Sequence, residues 1–321
     1  LFPVSPLPSA RAQDEPRRPK ELVSFVTGDP TDLEVTPAGP ALLLLGGGTD
    51  VDHAFAWWRD VLAGGDVVVL RTSGADGYNA YLYDEIGGCD SVETLLVTTR
   101  ALADSAYVER RLLEAEGVFI AGGDQATYVR AWKGTRLERA LHAAWRRGAA
   151  LGGTSAGAAI LGGFSFTALE GSLRSSVGLR DPYHRQVTLE REFLRLSFLD
   201  GVLVDTHFGA REREGRLLAF LARLMSDGWH DAPLGLGIDE ETALAIGRGG
   251  HARVFGKGAV HVYRAGRPPE VCEPGAALTF ADVGAWRLTR NDTLDLPAGP
   301  RPGSATRTVS VAGGAVRDVG R

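Results

Sequence analysis

The segment Gly152-Gly153-Thr154-Ser155-Ala156-Gly157-Ala158-Ala159 contains G-x-S-x-G, the pattern of a serine on a sharp strand-to-helix turn. Acyl transfer needs that turn because it lifts the hydroxyl clear of the backbone. Flanking glycines are needed because a β-carbon would clash there. The helix that opens after the serine offers backbone N–H donors to an oxyanion. Glycine–serine turns are common connections, so the pentapeptide alone is a moderate signal. Here an apolar strand pattern precedes it and an alanine-rich helical pattern follows, which is the context a nucleophile requires. Ser155 is therefore the candidate nucleophile. Gly122-Gly123-Asp124-Gln125 ends a neighbouring apolar run, and the Gly123 and Ala156 amides are the candidate oxyanion pair. A tight turn with a polar cap is the plainer reading of that second motif.

A serine nucleophile needs a base and an orienting acid. The histidines stand at 53, 142, 184, 207, 230, 251 and 261. His207 closes a buried strand pattern, Gly201–Asp205, where the ligand edge of a parallel sheet lies; His184 is its backup. Glu170, Asp181 and Asp205 are the carboxylates weighed. Asp205 precedes His207 by two residues, so on a strand the two share a face at about 6.5–7 Å. That spacing suits a shared pocket better than an imidazole hydrogen bond. Glu170 approaches from the loop after the elbow helix and is taken as the triad acid, against the alternative of an exposed loop carboxylate. Asp205 is assigned to the substrate pocket. Arg211, Arg213 and Arg216 follow the base. At about 100° per residue they cannot share one helix face, and Glu212 with Arg216 has the spacing of an i,i+4 ion pair. One or two of these arginines can still grip substrate carboxylates.

Short apolar runs at Ala41–Leu45, Asp66–Leu70, Gly117–Ala121 and Ala149–Gly152 read as buried parallel strands. A further strand is expected within Ser91–Thr98. Helical spacing covers His53–Leu62, Ala101–Glu116, Leu137–Arg147 and Arg213–Ser226. Strand, glycine turn and helix alternate, which predicts an α/β chain with a mostly parallel sheet and helices on both faces. Three glycine-rich loops, including Gly46-Gly47-Gly48, fall at the carboxyl ends of its strands. Short strands follow at Leu234–Asp239 and Thr242–Ile246. From about Gly256 the chain turns to short β-rich pieces. The expected division is a leader and linker over 1–22, a catalytic α/β domain over 23–265 and a β-rich extension over 266–321.

The chain has 321 residues, 44% hydrophobic and 23% charged, with a formal net charge of −5. That balance argues against nonspecific nucleic-acid binding, which needs a basic field. No apolar run approaches the roughly 18 residues of a membrane-spanning helix. The two cysteines, Cys89 and Cys272, lack metal-ligand spacing; they read as two thiols, or as one disulfide if the protein is exported. Ala10-x-Ala12 in the leader has the spacing of a signal cleavage site, giving a secreted or periplasmic protein, with a polar leader and a cytoplasmic protein as the alternative.

AGGDQ (121–125), GGTSAGAAI (152–160) and DTHFGAREREGRL (205–217) together resemble cyanophycinases and their relatives, the serine peptidase family that also includes aspartyl dipeptidase. The likeness covers roughly residues 38–265. It implies a three-layer αβα fold similar to class I glutamine amidotransferases, a small C-terminal β appendage, a Ser–His–Glu triad and a homodimer. Substrate contacts are implied at Gln125, Asp205, Thr206, Arg211, Arg213 and Arg216. At Thr206 the family pattern usually has glutamine, a departure that bears on the substrate. The implied substrate is cyanophycin, a polyaspartate carrying arginine on its β-carboxyls, cut to β-Asp-Arg dipeptides. An aspartyl or isoaspartyl dipeptidase is the nearest alternative. α/β-Hydrolases share the order Ser155, Glu170, His207 but need a longer span between serine and histidine. No metal or cofactor is implied. A nucleotide-binding protein lacks its motif here, since neither G-x-G-x-x-G at a strand–helix turn nor a Walker lysine is present. A non-catalytic scaffold is disfavoured by the presence of all three triad candidates.

Overall fold

The computed structural model describes residues 16–191, 193–301 and 303–319. The signal-like Ala10 and Ala12 lie outside the described residues. Seventeen strands are present among those described: β1 (Val23–Gly28), β2 (Ala41–Leu45), β3 (Val67–Arg71), β4 (Ser91–Leu96), β5 (Gly117–Ile120), β6 (Ala150–Thr154), β7 (Ser165–Phe166), β8 (Leu189–Glu190), β9 (Val202–Asp205), β10 (Leu234–Ile238), β11 (Thr242–Ile246), β12 (His251–Gly256), β13 (Val260–Ala265), β14 (Phe280–Leu288), β15 (Thr293–Asp295), β16 (Arg307–Ala312) and β17 (Ala315–Val319).

The main sheet runs β1-β4-β3-β5-β6-β2-β11-β12-β15. Its centre, β4 to β2, is parallel, and the flanking strands are antiparallel. The central strands are apolar on both faces because both are covered. Leu42, Leu44, Val68 and Leu70 point into one core cluster, while Leu43, Leu45, Val67 and Val69 point into another. Helix Asp52–Val61 covers the second face with Ala54, Phe55 and Trp58. Helices Ala106–Glu114, Gln125–Trp132 and Arg136–Arg147 cover the first. The helix expected as one piece over Ala101–Glu116 is two, Arg100–Ala103 and Ala106–Glu114, because Ser105 caps the second by accepting from the Val108 amide.

The fold class is α/β, but β9 and β10 leave the main sheet. They pair parallel with each other and begin a second sheet, β17-β16-β14-β13-β10-β9. Val202 and Val204 face the first core, alongside Leu236 and Ile238, and Leu203 faces helix Glu214–Ser226 on the far side. The second sheet thus takes over part of the layer that helices occupy elsewhere. The boundary expected after residue 265 falls between two paired strands: β13 and β14 match register from Val260↔Leu288 to Ala265↔Val283. β15 adds to the main sheet and β14, β16 and β17 to the second, so the tail contributes to both. Cys89 packs in one core cluster and Cys272 in another, and both are free thiols.

Candidate active site

Ser155 sits between β6 and the short helix Ala156–Ala159 at φ 54° and ψ −121°, a backbone state that a non-glycine residue adopts only under constraint. The constraint is visible. A β-carbon at Gly153 would lie 2.6 Å from the Gly157 carbonyl carbon, and one at Gly157 would lie 2.0 Å from the Ile120 oxygen. Both glycines of the motif are needed for the helix start to nest between β5 and β6. The Ser155 amide donates to the Leu45 carbonyl at 3.1 Å, tying the elbow to β2 as well.

His207 follows β9 at φ 48° and its amide donates to the Gly46 carbonyl at 2.8 Å. Its Nε2 lies 2.6 Å from Ser155 Oγ. Its Nδ1 lies 2.6 Å from Glu240 Oε1. A carboxylate can only accept, so Nδ1 carries the proton and Nε2 is free to accept from the serine hydroxyl. Burial is the main cause pushing the His207 pKa below its ordinary value; the Glu240 bond opposes this, and the Arg211 and Arg213 charges reinforce it. The imidazole is therefore neutral near pH 7, as a base must be.

The expected acid was Glu170, and the structure corrects this. Glu170 Oε2 accepts from Arg185 Nη2 at 2.8 Å on the surface, while Glu240 occupies His207 Nδ1. His184 instead accepts from the Gln186 amide, and Asp181 accepts from the Tyr183 and Gly275 amides. Glu240 lies in the three-residue turn between β10 of the second sheet and β11 of the main sheet. Because β9 and β10 are parallel with Gly237 opposite Asp205, residues just past their ends meet. That register was the available signal, and it is invisible without knowing that the two strands pair.

Asp205 and Thr206 also differ from expectation. Both are 2% exposed. The Asp205 carboxylate accepts from Arg216 Nε at 2.7 Å and from its Nη2, and from Arg213 Nη1 at 3.3 Å. The Thr206 carbonyl accepts from Arg213 Nη1 at 2.6 Å. These two residues hold arginines and do not present an open face to substrate. The Glu212–Arg216 pair does not form, because Glu212 precedes the helix at φ 49° and Arg216 is engaged by Asp205. Arg216 also lies over the Phe166 ring at 5.1 Å. Burial brings the Arg213 pKa down to about 10, so it remains cationic at neutral pH.

Gln125, Arg130, Arg211, Arg213 and Arg216 line one cavity of about 320 Å³ together with Asp124 and the 168–172 loop. Its loop 122–125 touches the nucleophile: a β-carbon on Gly122 would be 3.5 Å from Ser155 Cβ. Gln125 Nε2 donates to the Phe166 carbonyl at 2.9 Å. At Gly123 a β-carbon would meet the Tyr128 hydroxyl at 2.5 Å, so glycine is required there to seat the loop. The cavity wall carries four arginines against one carboxylate, and Asp205 behind it offsets only part of that charge.

The model of Peptidase family S51 matches residues 73–254, more than half of the chain, and this span holds Ser155, His207 and Glu240. The chain belongs to that family. Among curated relatives, the cyanophycinase of Synechococcus elongatus is 36% identical over 176 residues, covering 54% of this chain and 50% of the relative. That of Nostoc sp. is 32% identical over 182 residues, covering 56% and 55%. The chain thus spans about half the length of the curated relatives it matches. The crystal structure of a peptidase from an acI-B1 actinobacterium superposes with a TM-score of 0.56 at 18% identity, covering 80% of this chain and 97% of that one. That likeness concerns the fold, and it is consistent with the amidotransferase-like α/β architecture expected. In this S51 chain no helix among the described residues is long and apolar enough to cross a membrane.

Proposed function

We propose that the chain is a serine hydrolase that cleaves cyanophycin to β-Asp-Arg dipeptides through an acyl-enzyme on Ser155. The observation that carries the reading is the continuous line Ser155 Oγ–His207 Nε2, His207 Nδ1–Glu240 Oε1, each link 2.6 Å, beside an arginine-lined cavity. His207 takes the serine proton as Oγ attacks the carbonyl, and Glu240 stabilises the resulting imidazolium. The Gly123 and Ala156 amides are the proposed oxyanion donors. His207 returns the proton to the leaving amine, and water resolves the ester. None of these steps calls on a metal or a cofactor. Arg211, Arg213 and Arg216 supply positive charge for the free carboxylates of an aspartyl substrate, with Gln125 at the rim. Relatives named cyanophycinase support the polymer as substrate. The same reading includes a homodimer, which sedimentation checks.

Release of β-Asp-Arg from purified cyanophycin by the parent, and none by Ser155→Ala, is the expected result. A folded parent that releases nothing overturns the polymer assignment. Aspartyl and isoaspartyl dipeptides are then the substrates to assay.

A further inference from the structure

The turn that delivers Glu240 is held by its neighbour. Asp239 is half-buried, and its carboxylate gathers three donors from three places. Oδ1 accepts from the Gly209 amide at 2.8 Å, in the loop directly after His207. Oδ2 accepts from the Ala259 amide at 3.1 Å, at the entry to β13, and lies 3.1 Å from His261 Nε2 on that strand. The Asp239 backbone amide also donates to the Ala259 carbonyl at 3.0 Å. On its other side the Asp239 carbonyl lies so close to Gly46 that a β-carbon there would stand 1.9 Å away. Gly46 in turn receives the His207 amide.

His261 is itself placed by the second sheet. It pairs with Gly237 of β10, and Gly237 pairs on its other side with Asp205 of β9. The Phe208 ring lies over Gly237, where a β-carbon would come within 2.4 Å, and packs 5.1 Å from the His261 ring. Asp239 therefore binds the segment carrying the base, the turn carrying the acid and the first strand of the C-terminal β layer. Burial disfavours the charged carboxyl, but the His261 bond and the two amide bonds outweigh it and hold Asp239 below the usual carboxylate range. A carboxylate is the one side chain of this length that accepts all three.

We infer that Asp239, with His261 behind it, is a positioning residue that fixes the Glu240 carboxylate on His207 Nδ1. This rests on the triad reading above, but its test need not use the substrate. One readout is the rate at which a fluorophosphonate modifies Ser155, followed by mass spectrometry. The other is the far-downfield proton of a carboxylate-bonded His207 Nδ1–H, seen by NMR and identified by its absence in Glu240→Gln.

Asp239→Ala is expected to slow modification on the order of 10²-fold, the scale of a slight misplacement of a reacting group, and to shift or abolish that proton. Asp239→Asn turns an amide toward the Ala259 N–H and His261, so it falls between parent and alanine. The double variant Asp239→Ala/Glu240→Gln is expected to be no slower than Glu240→Gln alone, because the effect passes through Glu240. Parent-like rate and resonance in Asp239→Ala overturn the inference, as does a double variant showing the product of both losses. If Asp239→Ala does not fold, His261→Phe removes one donor and must show the same changes at smaller size. If the parent resists the fluorophosphonate, the nucleophile reading fails, and the proton resonance still decides whether Asp239 sets the Glu240–His207 contact.

Discussion

At the scale of single residues the site is a proton line with one member that spacing alone does not reveal. Glu170 and Glu240 are both carboxylates on turns, and their difference is what each faces. Glu240 meets His207 Nδ1, whereas Glu170 meets a surface arginine. Glu240→Gln is therefore expected to lower kcat by about 10²–10⁴-fold, since the wrong imidazole tautomer is then favoured. Glu170→Gln should stay within about twofold of the parent, because a surface ion pair contributes little. Steady-state kinetics on the two variants separates them; equal losses would mean the acid is misassigned. The pH profile carries a second prediction. In the proposed mechanism His207 acts as a neutral base, and burial with the Arg211 and Arg213 charges depresses its pKa. The acid limb of kcat/KM should then fall at a pH below the ordinary histidine value of about 6.5. Arg211→Ala removes a positive charge that disfavours imidazolium, so the limb should move up in pH. A limb that stays put or moves down contradicts the assignment.

At the scale of elements, glycine turns bring the three functional segments within bonding distance. Gly47 has φ +95°, and a β-carbon there would stand 2.4 Å from His207 Cε1. Its carbonyl accepts from the Glu241 amide at 2.9 Å, so the same residue touches both the base and the acid-bearing turn. Gly47→Ala should cost about 1–3 kcal/mol through backbone strain and displace the imidazole, lowering kcat more than it changes KM. Gly77→Ala is the matched control, with open space around the added methyl and no positive φ. Thermal melts and kinetics on both variants test the claim, and a Gly47→Ala enzyme with parental kcat would refute it. The same element-scale view shows how three arginines that could not share one helix face come to line one cavity. The helix begins at Glu214, so Arg211 lies before it, Arg213 caps it and Arg216 lies within its first turn. Glu212, at φ 49°, lies in the turn between Arg211 and the helix, and all three arginines line one cavity.

At the scale of the whole molecule, the proposed active site bridges two sheets. Ser155 comes from the main sheet, His207 from the end of a strand in the second, and Glu240 from the turn that passes between them. The relation between sheets sets the distances within the proposed site, and the C-terminal strands help fix it. Leu278, Phe280, Val283, Val309 and Val311 fill the core beneath helix Glu214–Ser226, and Leu294 and Leu296 join the main core. Deleting residues 266–321 strips β13 of one of its two partners, β14, and opens both cores. The shortened chain is expected to be largely insoluble, without a cooperative melt. A soluble chain of residues 1–265 that melts cooperatively and still reacts at Ser155 would show the tail to be dispensable.

The sequence by itself determined the class of fold and two of the three members of the line. Buried strands, helix faces and a glycine-flanked serine are local patterns, since each depends on residues a few positions apart. His207 was legible for the same reason, as a polar residue ending an apolar strand. The tertiary structure decided the rest. Glu240, Asp239 and His261 matter only because β10 lies between β9 and β13, and no periodicity encodes which strand is whose neighbour. Asp205 changed from an expected substrate contact to a counterion because Arg213 and Arg216, eight and eleven residues on, fold back onto it through the turn after His207. In water that carboxylate would stay hydrated; tertiary packing buries it, and once buried it requires charged donors, which the turn after His207 folds back onto it.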